Sequence, residues 1–143
     1  MLVEKFKEIC EAIEWQFNYG GGHWQNLQDF PDDADLDFEE RQKYFLMLWK
    51  DREFKLNEYN AISGFSFTGE FVLCVRSRIT DIDYNYKYEN NIKPLEQEVS
   101  RMFEHFTSCD DFTIKRWKEI EVENEYDTNL DGLKIQFTID YSE

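Results

Sequence analysis

LKIQFTIDY, residues 133–141, carries apolar side chains at every odd position (Leu133, Ile135, Phe137, Ile139, Tyr141) and polar ones at every even position. Strict alternation marks a strand with one buried face, because successive Cβ atoms point to opposite sides of a sheet. The stretch before it, FTIKRWKEIEVENEY at 112–126, has Phe112, Ile114, Ile120, Val122 and Tyr126 apolar, and Glu119, Glu121, Glu123 and Glu125 in an acidic row. A hairpin turning across Asp127 to Gly132 predicts Val122 opposite Phe137, Ile120 opposite Ile139 and Glu125 opposite Lys134, a register that matches both faces.

Upstream, FTGEFVLCVRSRI at 67–79 places Phe67, Phe71, Leu73, Val75 and Ile79 on one face and Thr68, Glu70, Arg76 and Arg78 on the other, a half-buried strand. Ile82, Tyr84, Tyr86 and Tyr88 extend the period of two, so the strand is expected to continue through DIDYNYKYEN. Asn90 and Asn91 then supply N-caps, Pro94 suits a first helical turn where no amide donor is required, and Ile92, Leu95, Val99, Met102 and Phe106 form a helical stripe. A second stripe, Leu2, Phe6, Ile9, Ile13 and Phe17, predicts an N-terminal helix that ends at Gly20-Gly21-Gly22. YFLMLW at 44–49 is apolar throughout, which fits a strand buried on both faces or a short buried helix; the strand is the favoured reading. The order predicts a single α+β domain over 1–143: an antiparallel sheet, two helices packed on one face, and a long acidic loop at about 20–43.

The chain has 143 residues and a net charge of −15, with 31 acidic side chains against 16 basic ones. That balance argues against wrapping a nucleic acid, which depends on basic side chains releasing counterions. No stretch approaches the ~18 uninterrupted apolar residues of a membrane span, and no membrane partner is expected. The charged N-terminus reads as an amphipathic helix and not as a signal peptide. Cys10, Cys74 and Cys109 are odd in number and far apart, which suggests neither a disulfide framework nor a CxxC metal site and fits a reducing compartment. The 13 Phe, 8 Tyr and 4 Trp exceed what one core needs, and Trp24, Phe30, Phe38, Phe54, Tyr59 and Phe65 fall in segments without regular pattern. Such rings anchor protein contacts or fold back over the sheet.

Chemistry-bearing motifs are few. Asp127, Asn129, Asp131 and Gly132 reproduce the first half of a calcium loop, D-x-N-x-D-G, yet position twelve is Thr138 where a bidentate Glu is needed, and strands flank it. A polar hairpin turn is the competing reading. Asp33, Asp35, Asp37, Glu39 and Glu40 lie in the run DFPDDADLDFEE at 29–40, a solvated acidic segment without a turn glycine. His23 and His105 are the only histidines, so no HExxH exists, and no GxGxxG, P-loop or GxSxG occurs. No cofactor, resident metal or catalytic residue is expected, and the chain reads as a non-enzyme.

The mid-chain helix IKPLEQEVSRMFEHF (92–106), the closing hairpin WKEIEVENEYDTNLDGLKIQFTIDY (117–141), and the phrases YNYKYENNIKPLEQEV (84–99) and NLDGLKI (129–135) resemble the neck and tail-completion proteins of tailed bacteriophages. The chain looks like the tail-terminator type of head–tail connector ring, including rings of crAss-like and related Bacteroidetes phages. The resemblance covers residues 64–141, and the insertion at 20–43 departs from compact terminators. It implies a structural virion protein without catalysis, assembled in the host cytoplasm and present as copies of itself in a ring, between portal, connector or tail neighbours. DNA would pass through without specific binding. Neighbour contacts are expected on the loop and on the 44–49 strand, at Trp24, Phe30, Phe38, Tyr44, Phe45, Met47 and Trp49. The row Glu119, Glu121, Glu123 and Glu125 fits either a lumen that repels phosphates or a plain solvated strand face. The competing classes are an acidic protein-binding module of DNA-mimic or immunity type, and a small enzyme with a raised-pKa carboxyl in a deep pocket.

Overall fold

The computed structural model describes residues 2–20, 33–77, 83–107, 111–125 and 130–142. The elements are α1 (Leu2–Ala12), β1 (Gln16–Gly20), a 3-10 turn (Phe38–Glu40), β2 (Lys43–Leu48), β3 (Asp51–Leu56), β4 (Ile62–Arg76), α2 (Tyr84–Lys87), a π turn (Tyr88–Ile92), α3 (Lys93–Thr107), β5 (Phe112–Glu125) and β6 (Leu130–Ser142). The six strands form one sheet in the order β1-β2-β4-β6-β5, with β3 beside the first half of β4. The fold is α+β, as the alternating segments predict.

Odd-numbered side chains of β4 (Phe65, Phe67, Phe71, Leu73, Val75) and β6 (Leu133, Ile135, Phe137, Ile139) face the helices. Leu2, Phe6, Ile9 and Cys10 of α1 and Leu95, Val99, Met102 and Phe106 of α3 pack onto them, so both long helices cover one face. Phe6 is the hub, its ring 4.7 Å from Phe106, 4.9 Å from Phe45 and 5.2 Å from Phe71. Tilted aromatic pairs of this kind contribute about 0.5–1.5 kcal/mol each beyond their buried area. Even-numbered residues build a second cluster on the opposite face from Tyr44, Leu46, Val72, Cys74 and Leu130, with Val122 packed against it.

Several expectations are corrected. The N-terminal helix stops at Ala12, not at the glycines. Glu14 takes a left-handed φ of 63°, the Trp15 amide donates to the Cys10 carbonyl, and the chain turns back as β1. That strand is parallel to β2, so the sheet is mixed rather than wholly antiparallel. The period-two tyrosines do not extend a strand: Asp83 accepts from the Asn85 amide and starts α2. Tyr84 and Tyr86 are exposed, and Lys87 is turned inward. A local cap thus outweighs the strand preference of the rings. The predicted hairpin register is also wrong. Ile120 pairs with Lys134, Val122 with Gly132 and Trp117 with Phe137, and bulges lie between Ile114 and Arg116 and between Val122 and Glu125. Trp117 explains the shift. Set opposite Phe137, its ring lies edge-on to Phe71 at 5.4 Å and to Phe103 at 5.5 Å, which buries more than Ile120 could.

The turn also moves. Asp131 and Gly132, expected in the hairpin loop, belong to β6 and pair with Val75 and Cys74 of β4. A Cβ at Gly132 would run into the Leu73 carbonyl oxygen, so glycine is required by close approach of two backbones rather than by a turn.

Candidate functional site

Two regions present polar or aromatic side chains in an arrangement that the core alone does not explain. The first lies where α2, the π turn and α3 cross the end of the sheet. Pro94 has no amide hydrogen, so the Asn90 carbonyl four residues earlier lacks its helical donor. The backbone widens into the π turn, with the Lys93 amide donating to Tyr88. The Arg41 guanidinium reaches the Asn90 carbonyl at 2.7 Å and also donates to Asn91 Oδ1 at 2.7 Å and to the Arg76 carbonyl at 3.2 Å. Asn91 Nδ2 in turn donates to Asp131 Oδ2 at 3.0 Å, Ser77 Oγ donates to Asp131 Oδ1 at 2.9 Å, and Lys87 Nζ sits 3.2 Å from Asp131. Lys87 is 1% exposed and Asp131 0%. A buried pair of this kind is costly to desolvate and is compensated here by the Ser77 and Asn91 donors. The network fastens the start of α3 to β4 and β6.

Beside it lies a polar cavity of about 270 Å³ whose lining includes Asp35, Asp37, Glu39, Arg41, Tyr86 and Glu89. Burial pulls the Arg41 guanidinium below its ordinary value, against the opposing charges of Asp33, Tyr86 and Asp131. The second region is the β3–β4 hairpin. Its turn is built by Asn57, whose side chain accepts from the Tyr59 and Ala61 amides, and by Asn60 at a φ of 58°. Around it Trp49, Phe54, Leu56, Tyr59 and Ile62 are exposed, Tyr59 by 81% and Trp49 by 69%. A wider hollow of about 480 Å³ opens where the chain kinks between β2 and β3, lined in part by Trp49, Asp51, Gly69 and Arg116.

The expected contact residues divide sharply. Trp24, Phe30 and His23 lie outside the described residues. Tyr44, Phe45 and Met47 are fully buried and therefore are not a neighbour surface, because β2 is an interior strand between β1 and β4 with apolar clusters on both faces. Phe38 is half-buried, with Lys43 Nζ over its ring at 4.6 Å. Phe65 is buried. Trp49 keeps its expected exposure, as do Phe54 and Tyr59.

Glu119 and Glu121 stand on the helix side of β5, since they pair with Ile135 and Leu133. Tyr84 donates to Glu121, and burial together with Glu96 pushes the Glu119 carboxyl up. Glu119 lines none of the cavities described here. The Glu123 and Glu125 side chains are outside the described residues, as are Asp127 and Asn129. Asp131 faces the buried Lys87 rather than a loop, which removes it from the candidate D-x-N-x-D-G cation loop. Asp33 accepts from the Gln42 amide, and among the described residues no group of three His, Cys, Asp or Glu side chains could hold a metal ion. Burial and the charge of Glu11 push the Cys10 thiol up to about 12, far from a thiolate nucleophile, and His105 is exposed. Cys109 is outside the described residues.

Sequence reasoning missed the Lys87–Asp131 pair and the whole of β3. The asparagines at 57 and 60 between the short runs DREFKL and AISGF were the available turn signal for that hairpin. No protein-family model and no curated protein sequence matches the chain.

Proposed function

We propose that this chain is a structural subunit of an oligomeric ring in the head–tail connector, neck or tail terminator of a tailed bacteriophage, acting by contact and without catalysis. The reading starts from the sequence resemblance over residues 64–141. The observation that carries it further is the β3–β4 hairpin: a strand edge unpaired among the described residues and flanked by exposed Trp49, Phe54, Leu56, Tyr59 and Ile62, a surface suited to a protein neighbour. The net charge of −15 suits a channel wall past which DNA slides without adhering.

The same charge favours a second reading, an acidic module that binds a basic protein. Light scattering and negative-stain imaging over a wide concentration range separate the two. Closed rings of one size with a central hole are the expected outcome. A stable dimer at every concentration, carrying no hole, overturns the ring and favours the acidic module.

A further inference from the structure

The sheet ends in two strand edges at the same height. Row by row, Phe54 of β3 lies opposite Phe65 of β4, Phe65 opposite Tyr141 of β6, and Tyr141 opposite Phe112 of β5. The four rings form one ladder across the sheet, with centroids 5.3, 6.4 and 5.1 Å apart. At one end Phe54 is 49% exposed on an edge that pairs with nothing else among the described residues. At the other end Phe112 is half-buried, and the outer edge of β5 is likewise unpaired among them.

We propose that copies of this chain join edge to edge, β3 of one copy pairing antiparallel with the first residues of β5 of the next, with Phe54 opposite the neighbouring copy's Phe112. The direction needs no special fit. β3 runs against β4, and β5 runs with β4, because each is reached through antiparallel pairs. A neighbour in the same orientation therefore brings β5 antiparallel to β3. The aromatic row then continues from copy to copy.

Charge selects this register. With Phe54 opposite Phe112, Asp51 meets Lys115 of the neighbour and Lys55 meets Asp111, two opposite-charge pairs that bracket the aromatic contact. Asp51, Glu53 and Lys55 point away from the helices, as do Thr113 and Asp140 in the adjoining rows, and Lys55 already binds Asp140 there. Lys115 acts on Asp140 as well, which places its charge close to that row. A slip by one residue that sets Lys55 against Phe112 would turn Phe54 away from that ring and leave a single charged pair, Asp51 with Arg116, in place of two. The contact is heterologous, with different patches on its two sides, so a constant rotation between copies closes it into a ring. Closure rests on the ring reading above; the pairing itself is a separate claim.

Glu53 and Thr113 share the next row, and both are exposed, so cysteines there test the register directly. In a Cys109→Ser background, the chain carrying both Glu53→Cys and Thr113→Cys is expected to cross-link under mild oxidation into a ladder ending at one closed size. Either single variant should give no ladder. Lys115→Asp should weaken association on the order of tenfold, and adding Asp51→Lys should restore it. Oligomers in solution without the double-cysteine ladder overturn the edge pairing and leave the ring standing. Monomers at every concentration with no ladder overturn both.

Discussion

The two halves of β4 are buried to different extents: FVLCV at 71–75 is apolar at every position, whereas ISGFSFT at 62–68 sets Phe65 and Phe67 among Ser63, Gly64, Ser66 and Thr68. From Phe71 to Val75 every side chain is buried, because β2 and β6 flank the strand, α1 and α3 cover one face, and the Tyr44 cluster occupies the other. From Ile62 to Thr68 the same strand has β3 in place of β2, and Ile62, Thr68 and the facing Phe54 and Leu56 remain exposed. Phe65 and Phe67 still join the core from the first half, but Ile62, Ser63 and Thr68 stay open to solvent, whereas 71–75 is buried on both faces. The deciding variable is what lies beyond the neighbouring strand: β1 beside β2, and no strand beside β3 among the described residues.

Phe71→Ala should destabilise the chain by about 3–5 kcal/mol in urea unfolding, the range for an aromatic removed from a close-packed core. Asp131→Ala should cost a similar amount, about 3–5 kcal/mol, because it leaves the Lys87 ammonium buried without its counter-charge. The Lys87→Met and Asp131→Leu double variant should recover part of that loss, and a double that is worse than either single would refute the pairing argument. Gly132→Ala should cost about 1–3 kcal/mol through backbone displacement in the buried half.

Cys10 sharpens the contrast through pH. Its thiol titrates near 9.0 in the unfolded chain and at about 12 when buried, so its contribution is fully present below pH 9 and is lost as pH rises from 9 towards 12. Cys10→Ala should therefore flatten the alkaline limb of a thermal-unfolding series across that window. Phe54→Ser should have the smallest effect on the monomer, under about 1 kcal/mol, while reducing self-association measured by light scattering. A large stability loss at Phe54 with unchanged association would erase the distinction between the halves.

The strands with a clean period of two were legible from residue order, and so were the stripes of α1 and α3. Phe67, Phe71, Leu73 and Val75, and likewise Leu133 to Ile139, face the helices as their alternation requires. Less of the candidate site could be read. Asp131 looked like a loop ligand because D-x-N-x-D-G is a turn-like phrase, and its burial is explained by Lys87, forty-four residues away, together with Ser77 and Asn91. Tyr44, Phe45 and Met47 suggested contact because an apolar run carries no label for interior or interface; Phe54 and Trp49 carry the exposure instead.

Sequence alone determined the fold class, the alternating faces of β4 and β6, the acidic balance of charge and the buried stripes of α1 and α3, because these depend on local periodicity and on composition. Tertiary structure decided the parallel β1, the Trp117 register of β5 and the inward turn of Lys87 and Asp131. It also decided which aromatic segment stayed exposed. Each of those outcomes depends on a partner distant in sequence, whose packing or charge outweighs a local preference of about 1 kcal/mol or less per residue.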